Sequence, residues 1–398
     1  MDHAIDSRRR RLMLSSAFAA TGLGPLSTAA FAQAAKAKPL PKYAEWKYID
    51  SLIVHSSNTI ETRRAAFGSS VVVPTDILFV RNNIPPPEES IAYDPDAWEI
   101  TVQGVGKPGK MTVGQLKRLG VETVAMVLQC SGNGRGFFAH KASGTQWTVG
   151  AAGCVLWSGV PLAAVVKAMG GVAGGMQFVT GSGGERIPDG IDRRQVAVER
   201  SVPLKAMETA LLAWELNGEP LPLAHGGPLR LVIPGYYGVN NVKYLSRLSF
   251  TEKETDANIQ SSGYRIRDIG KKGAPGQPTM WEMNVKSWIN HPAGDGPMLP
   301  GMVQINGVAF AGVNAVRRVE VSTDGGKTWT DARFIGPDLG RYAWRQFVLP
   351  VQLRTGSHVL VSRATDAAGN VQPAERTENE RGYGHNGWRD HAVKLTVA

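Results

Sequence analysis

The sequence contains little cysteine: Cys130 and Cys154 are the two among 398 residues. Two cysteines cannot form the disulfide framework of a small secreted domain. The spacings Cys-x-x-Cys and His-Glu-x-x-His are absent, which disfavours a zinc site because structural zinc wants four ligands. Cys-x-x-Cys-His is absent as well, so this sequence carries no attachment motif for a c-type haem. We expect Cys154 to be a buried packing residue.

The sequence also lacks long apolar runs and long runs of Lys and Arg residues. No stretch has the length and apolar composition of a membrane-spanning helix. The formal net charge is +10, but the Lys and Arg residues are dispersed, which argues against a nucleic-acid partner. We therefore predict no membrane and no nucleic-acid partner, and we expect the positive charge to steer small anions toward a basic pocket.

Residues 1–32 are predicted to be an export signal. Arg8 to Arg11 form a basic region whose continuation into Leu12-Met13 resembles a twin-arginine motif. An apolar, Ala-rich stretch over 12–26 follows, and Ala30-Phe31-Ala32 offers a small-residue cleavage site. Because the twin-arginine route exports folded proteins, this pattern predicts a periplasmic protein that takes up any cofactor before export. The alternative is a basic arm that binds nucleic acid or a membrane.

The rest of the chain divides into segments of different composition. Residues 33–70 are polar and aromatic with little periodicity, and we expect an extended arm. Residues 71–268 alternate short apolar runs with Gly/Pro turns and few helices, which favours an α+β domain over a doubly wound one. The stretch 269–278 is rich in Gly and Pro and predicts a linker. Residues 279–398 alternate in character between turns such as Asp324-Gly325, which is typical of an immunoglobulin-like β-sandwich.

Three elements inside 71–268 have clear local signals. A helix is predicted over 161–169, with Pro161 at the first helical position and Gly170-Gly171 as its stop. Short apolar runs at 178–180 and 229–233 predict buried strands.

The stretch Leu128 to Arg135 carries the most chemical information. It places Cys130 at the end of an apolar run, followed by a glycine-rich turn and Arg135. A thiolate at a strand end beside an arginine suits a soft metal at a site for an anion. The alternative is a buried cysteine that packs as a small hydrophobe.

Six segments, in order, resemble motifs of the sulfite oxidase family. The resemblance covers nearly everything from about residue 70 to the end, and six ordered motifs are more specific than any one. The segments are Phe79-Val80-Arg81-Asn82-Asn83, Leu128 to Arg135, Trp147 to Ala151, Glu215 to Arg230, Val242-Lys243-Tyr244-Leu245 with the later Tyr264, and Arg381-Gly382 with Asn386-Gly387-Trp388.

The resemblance implies a fold, a cofactor and a set of site residues. The fold is a sulfite-oxidase-type molybdopterin-binding domain at 71–268, followed by an immunoglobulin-like dimerisation domain at 279–398, in a homodimer. Molybdenum is held by a pterin dithiolene and by the thiolate of Cys130. The implied catalytic residues are Arg81, Arg135, Trp147, Tyr264 and Arg381, and the implied cofactor-binding residues are Phe79, Arg81, Asn83, Cys130, His225, Arg230 and Lys243. Guanidinium groups suit sulfite because paired N–H donors reach two oxygens of an oxyanion at once.

Three positions depart from the family pattern. Asn83 stands where many members have histidine, Ser143 stands where the vertebrate enzymes have lysine, and Asn240 replaces an arginine. We therefore expect different pterin contacts and one cation fewer in the substrate pocket. These changes resemble the bacterial sulfite dehydrogenases more than the vertebrate oxidases.

The activity implied by the resemblance is oxidation of sulfite to sulfate at molybdenum. Because this sequence has no haem motif, we expect the electrons to pass to an external c-type cytochrome. Two enzyme alternatives share the cofactor: the sulfane dehydrogenase subunit of the sulfur-oxidising complex, and a periplasmic methionine sulfoxide reductase, whose domain lacks the C-terminal sandwich. The non-enzyme alternative is a secreted immunoglobulin-like binding module, which would contain no metal.

Overall fold

A computed structural model of the protein describes residues 38–68, 70–294 and 296–398. The predicted export signal at 1–32 therefore lies outside the described residues. Within the described residues, no helix has both the length and the apolar character that crossing a membrane requires.

Strands dominate the described residues, and the helices among them are short. The α-helices are α1 (Val113–Lys117), α2 (Leu162–Ala168) and α3 (Arg193–Val196). The twenty-one strands of the described residues are β1 (Leu52–Ser56), β2 (Thr59–Thr62), β3 (Val80–Arg81), β4 (Glu99–Gln103), β5 (Gly109–Thr112), β6 (Glu122–Gln129), β7 (Ala152–Pro161), β8 (Phe178–Gly183), β9 (Glu199–Pro203), β10 (Leu211–Leu216), β11 (Glu219–Pro220), β12 (Arg230–Val232), β13 (Leu245–Thr251), β14 (Lys286–His291), β15 (Gly301–Phe310), β16 (Val316–Ser322), β17 (Thr330–Asp331), β18 (Arg333–Ile335), β19 (Arg345–Leu353), β20 (Gly356–Asp366) and β21 (Val393–Val397).

Two five-stranded sheets build the first part of the molecule. One has the order β11-β10-β7-β6, with β12 also paired to β10, and the other has the order β5-β4-β13-β8-β9. Strands β4 and β13 run parallel, whereas the other pairs in these sheets are antiparallel. Apolar side chains of both sheets and of α2 share one core that is closed to solvent, including Ile100, Val160, Val165, Leu212 and Leu248. This arrangement confirms the predicted α+β class.

The local predictions in this part are confirmed with small shifts. Helix α2 is one residue shorter at each end than predicted, because β7 continues through Pro161, which becomes the N-cap. Gly170 and Gly171 follow the helix with φ of +81° and +85°, a conformation that favours glycine and ends the helix. The predicted strands at 178–180 and 229–233 are β8 and β12.

Two four-stranded sheets form the predicted β-sandwich. Their orders are β14-β15-β19-β18 and β17-β16-β20-β21. Inward-facing side chains of both sheets, such as Ile305, Val319, Phe347 and Leu360, fill one core. Strand β21 alternates buried and exposed residues along its whole length, as a strand with one face on a core and one in water does.

The described part of the predicted arm, residues 38–68, is not extended as we expected. Strands β1 and β2 form a hairpin, β3 pairs with β2, and Leu52, Ile60 and Val80 close a small core there. All four residues of β2 are buried, including Glu61. The buried carboxylate of Glu61 interrupts the alternation of apolar and polar residues from which β2 could have been predicted.

The predicted linker forms a surface loop. Arg265 and Thr279 pair across its base, and the Ile266 N–H donates to the Pro278 carbonyl at 2.8 Å. The chain thus leaves and returns at one point. The boundaries of the segments 71–268 and 279–398 stay a prediction.

Candidate active site

The end of β6 positions Cys130. The Cys130 N–H donates to the Ala151 carbonyl at 2.9 Å, and the chain then turns so that the Asn133 N–H reaches the Cys130 carbonyl at 2.9 Å. The Asn133 side-chain oxygen accepts from the Ala151 N–H at 3.1 Å. These hydrogen bonds fix the turn between β6 and β7. The thiol of Cys130 therefore has one defined position, and 8% of the residue is exposed.

Both cysteines are free thiols. Cys154 faces Val127 in the register of β6 and β7 and has no exposed surface. Burial raises the pKa of its thiol to about 12, which makes it unreactive. Cys154 is therefore the packing residue that we predicted, and no bridge consumes Cys130.

Cys130 stands where two cavities meet. Counted together with the solvent space at their mouths, the inner cavity takes up about 710 Å³ and the outer one about 1070 Å³. The residues that line both cavities are Arg81, Asn82, Asn83, Cys130, Ile259 and Tyr264. An atom bound to Cys130 would thus be accessible from a buried chamber and from an open one.

The outer cavity collects three arginines from distant parts of the chain. Arg81 comes from β3, Arg135 from the turn behind Cys130, and Arg381 from the segment between β20 and β21 of the sandwich. The guanidinium of Arg135 donates to the Arg381 carbonyl at 2.8 Å and to the Thr145 carbonyl at 3.1 Å. Gly132 and Gly144 flank this guanidinium so closely that any side chain there would collide with it.

The charges of these arginines are available to a ligand. None of the three forms an ion pair within residues 38–68, 70–294 and 296–398. Burial acts to lower the pKa of Arg81, but Tyr264 and Cys130 beside it outweigh this effect and leave the pKa raised. Three permanent cations around one open chamber make a site for a small oxyanion.

The inner cavity holds a second group of basic side chains. His225 is 1% exposed and Arg230 is 3% exposed. Lys243 donates to the Asn82 side-chain oxygen at 2.6 Å and to the Ala224 carbonyl at 2.7 Å. Burial, followed by repulsion from Arg230 and Arg81, sets the pKa of Lys243 well below its usual value. Burial also lowers the pKa of Arg230 to about 9.

Cations crowded in this way fit a bound anion such as a phosphate, which would remove their mutual repulsion. The inner cavity also presents polar atoms that have no hydrogen-bond partner among the described residues. They belong to Asn82 (Nδ2), Ser131 (Oγ), Glu185 (Oε2) and His225 (Nε2). Buried polar atoms are normally paired, so a ligand with donors, acceptors and a negative charge fits this chamber.

The protein supplies few metal ligands of its own. Across the described part of the chain, no group of three His, Cys, Asp or Glu side chains could hold a metal ion. A metal at Cys130 would therefore need its remaining ligands from a cofactor. The donors, acceptors and cations of the inner cavity fit a phosphorylated pterin that brings such ligands.

Ten of the eleven predicted site residues line these cavities, and Trp147 does not. Its ring is fully buried behind Phe79, with the two ring centroids 6.4 Å apart. Trp147 therefore supports the wall of the inner cavity instead of facing a ligand. This position agrees with a residue that walls the pocket, the simpler role expected for a buried tryptophan; a catalytic role of Trp147 stays a prediction.

The three departures from the family pattern have separate structural consequences. The side chain of Asn83 accepts from Arg81 at 3.4 Å and donates to the Val196 carbonyl at 2.6 Å. Ser143 is exposed and lines neither cavity. Asn240 is fully buried, and its oxygen accepts from Arg200 at 3.1 Å. Asn83 thus contacts Arg81 of the outer cavity, and Asn240 accepts a hydrogen bond from the buried Arg200.

Among the cavity-lining residues that were not predicted, three bear on the chemistry of the site: Asn82, Glu185 and Tyr383. Asn82 belongs to the motif at residues 79–83, but nothing in that motif distinguishes it from Asn83. Glu185 sits in a glycine-rich stretch without a signal, and burial raises its pKa to about 7. Tyr383 follows the Arg381-Gly382 pair directly, and that adjacency was the one available hint.

Comparison with known families agrees with this geometry. Residues 86–259 match the model of the oxidoreductase molybdopterin binding domain, and residues 277–397 match the Mo-co oxidoreductase dimerisation domain. Arg81 and Tyr264 lie outside both matches, whereas Cys130 lies in the first and Arg381 in the second. The cavities are therefore assembled from both regions and from the chain around them.

Individual relatives point the same way. The mouse mitochondrial sulfite oxidase is 31% identical over 88% of this chain and 67% of its own. The sulfite oxidase of Arabidopsis thaliana is 29% identical over 85% of this chain and 91% of its own. The sulfane dehydrogenase SoxCD of Paracoccus pantotrophus superposes with a TM-score of 0.72 at 26% identity, over 94% and 96% of the two chains.

The chain spans 62% to 67% of the length of the mammalian sulfite oxidases that it matches. Two ordered domain matches, the relatives and the shared fold agree with the single cysteine, the cationic inner chamber and the arginines at its mouth. This chain belongs to the sulfite oxidase family of molybdenum–pterin oxidoreductases.

Proposed function

We propose that the protein is a periplasmic sulfite dehydrogenase that passes its electrons to an external c-type cytochrome. The observation that carries the proposal is the meeting of Arg81, Arg135 and Arg381 with Cys130 at one cavity. Sulfite is an oxyanion whose sulfur must approach the metal while its oxygens stay bound. Guanidinium groups at the mouth of the metal site meet that requirement.

When bound, the molybdenum–pterin group supplies oxygen-atom transfer and the storage of two electrons. Cys130 would hold the metal, and His225, Arg230 and Lys243 would hold the anionic end of the cofactor. The arginines of the outer cavity would orient the substrate and exclude uncharged competitors. Tyr264 lies beside Arg81 and can donate a hydrogen bond to a substrate oxygen.

The reaction balances as sulfite and water giving sulfate, two protons and two electrons. A c-type haem accepts one electron, so each turnover needs two oxidised cytochromes. The outer cavity has Ser262 and Asn258 at its lining, and through this polar mouth the protons can reach bulk water.

The test measures molybdenum content and sulfite:cytochrome c activity on the same preparations. Cys130→Ala should lose the metal and the activity together. Cys154→Ala is the matched control, because it removes a thiol from the neighbouring strand and should keep both. Molybdenum-loaded enzyme that leaves cytochrome c oxidised in the presence of sulfite would contradict the proposal.

A second candidate is the oxidation of a protein-bound sulfane sulfur. The likeness to the sulfane dehydrogenase structure over nearly the whole chain favours it. The two candidates separate when the purified enzyme is given free sulfite in one assay and a sulfane-loaded carrier protein in another. Turnover of the carrier alone would favour the second candidate.

The periplasmic location rests on the twin-arginine pattern. Replacement of Arg9 and Arg10 by Lys keeps the charge and removes the recognised pair. We expect the variant to stay in the cytoplasm with its molybdenum bound, which cell fractionation and metal analysis would detect. Export of the variant at the wild-type level would contradict this route.

A further inference from the structure

Two tyrosines of the outer cavity form a stacked pair. The rings of Tyr264 and Tyr383 lie nearly parallel, with 9° between their planes and 4.9 Å between their centroids. Both residues line the outer cavity. The main chain of Tyr383 is fixed at both polar groups, because Asn379 accepts from its N–H at 2.9 Å and donates to its carbonyl at 3.0 Å.

Guanidinium groups lie next to this pair. Arg135 lies over the ring of Tyr383 at 5.2 Å from its centroid, and Arg381 lies at 6.0 Å. Both arginines also line the outer cavity. The ring of Tyr383 thus contacts two of the three cations that face the oxyanion position.

A third guanidinium lies over Tyr264. Arg200 is 1% exposed and lies 5.6 Å from the centroid of the Tyr264 ring. Asn240 accepts from two of its nitrogens, at 3.3 and 3.1 Å, and the Ile259 carbonyl accepts from the third at 2.8 Å. No ion pair neutralises Arg200 within the part of the chain that the structure describes. A buried, unpaired charge is costly, so the aromatic ring beside it contributes to holding it.

We propose that Tyr383 is a positioning residue of the oxyanion site, which stacks on Tyr264 and fixes the guanidinium groups of Arg135 and Arg381 toward the bound substrate. The inference rests on the proposed function for the identity of that substrate.

The physical reason is preorganisation. A free arginine side chain has about 2 kcal/mol of rotamer entropy to lose when it binds a ligand. Contact with an aromatic face restrains the guanidinium in advance and contributes about 0.5–2 kcal/mol. The ring of Tyr383, rather than its hydroxyl group, supplies this contact.

The test is equilibrium binding of sulfate to the oxidised holoenzyme, measured by calorimetry. Sulfate carries the same charge as the sulfite dianion, has one oxygen more, and does not react with the oxidised enzyme. Tyr383→Leu should weaken sulfate binding by about 2- to 30-fold, and Tyr383→Phe should restore most of the affinity because it keeps the ring. Tyr93→Leu is the control, since Tyr93 is 82% exposed and lines neither cavity.

A double-mutant cycle with Arg135→Gln gives a readout that general loosening of the fold would not produce. If Tyr383 acts through Arg135, the double variant will lose less affinity than the sum of the two single losses, and the remaining effect of Tyr383→Leu will report its contact with Arg381. Additive losses would overturn the inference. If Tyr383→Leu fails to retain molybdenum, Tyr383→Met, which fills more of the same space, takes its place in the cycle.

The outcomes separate the two proposals. Wild-type holoenzyme that binds no sulfate would remove the oxyanion site and the proposed function with it. Wild-type holoenzyme that binds sulfate as tightly as Tyr383→Leu does would overturn the role of Tyr383 and leave the proposed function intact.

Discussion

The ammonium group of Lys286 donates a hydrogen bond to the main-chain carbonyl of Asn133, over a distance of 3.2 Å. Lys286 begins β14 of the sandwich and is 1% exposed, whereas Asn133 belongs to the turn behind Cys130. The sandwich therefore supports the proposed metal-binding turn directly.

This contact gives a prediction about pH. Burial lowers the pKa of Lys286 to about 7, against a weaker opposing effect of Asp390. The unfolded chain binds the proton up to about pH 10.4, so the buried lysine costs the most stability at pH 7 and below and progressively less above it. Lys286→Met should therefore lose stability relative to wild type as the pH rises from 7 to 10, by up to about 1.4 kcal/mol per pH unit. Thermal melts of both proteins at several pH values would show it. A stability difference that is constant across this range would contradict the prediction.

Removal of one arginine from the outer cavity should weaken the transition state for sulfite oxidation. Arg381 has an unpaired, buried Nε, so no carboxylate of the described residues competes for it. Arg381→Gln should lower kcat/KM for sulfite by about 10- to 100-fold, as expected for the loss of a charge-assisted hydrogen bond. Arg317→Gln, at an exposed position of β16, removes the same charge elsewhere and should change kcat/KM by less than about twofold at moderate salt. Equal losses in both variants would mean that only the overall charge matters.

Lys243 should decide how firmly the cofactor is retained. Lys243 lines the inner cavity, and its ammonium group donates to Asn82 and to the Ala224 carbonyl. Lys243→Met should reduce the molybdenum content of purified protein severalfold. Lys394→Met, on the exposed face of β21, is the control. Full molybdenum occupancy in Lys243→Met would show that Arg230 and His225 are sufficient to hold the anionic end of the cofactor.

Glu61 should be important for stability without touching a ligand. Its carboxylate is fully buried and accepts from the N–H groups of Thr148 and Gly150 at 2.8 and 3.0 Å, while His55 bonds to its other oxygen at 2.7 Å. Glu61→Leu would leave these donors unpaired and should cost about 3–5 kcal/mol of stability. Glu61→Gln keeps one acceptor oxygen and should cost less than half as much, as measured by denaturant unfolding. Similar losses of stability in the two variants would mean that packing of the Glu61 side chain, and not its hydrogen bonds, stabilises the segment around Thr148 and Gly150.

The sequence was informative where the chemistry lies in contiguous residues. Cys130 and Arg135 belong to one short stretch whose strand, turn and arginine all have local signals, and the helix α2 announces itself by a proline and two glycines. By contrast, the meeting of Arg135 with Arg381 depends on the long segment between β20 and β21, which returns to the turn behind Cys130. No local pattern encodes such a contact, so the resemblance was needed to group these residues.

Other features could not be predicted because the residues that form them are of types that usually indicate a different environment. The hairpin of β1 and β2 buries Glu61, and a buried charge looks like an exposed one in a sequence. Glu185 gave no sign because glycines surround it. The ring stack of Tyr264 and Tyr383 joins residues from separate segments, and neither one alone differs from an ordinary loop tyrosine.

The position of Arg381 and Tyr383 near the end of the chain has a genetic consequence. A nonsense or frameshift mutation between codons 260 and 381 would leave residues 86–259 intact and still recognisable, yet the encoded protein would lack Arg381 and Tyr383 of the outer cavity. Alleles truncated in this interval should therefore be scored as null, even when their predicted products retain Cys130 and the residues that line the inner cavity.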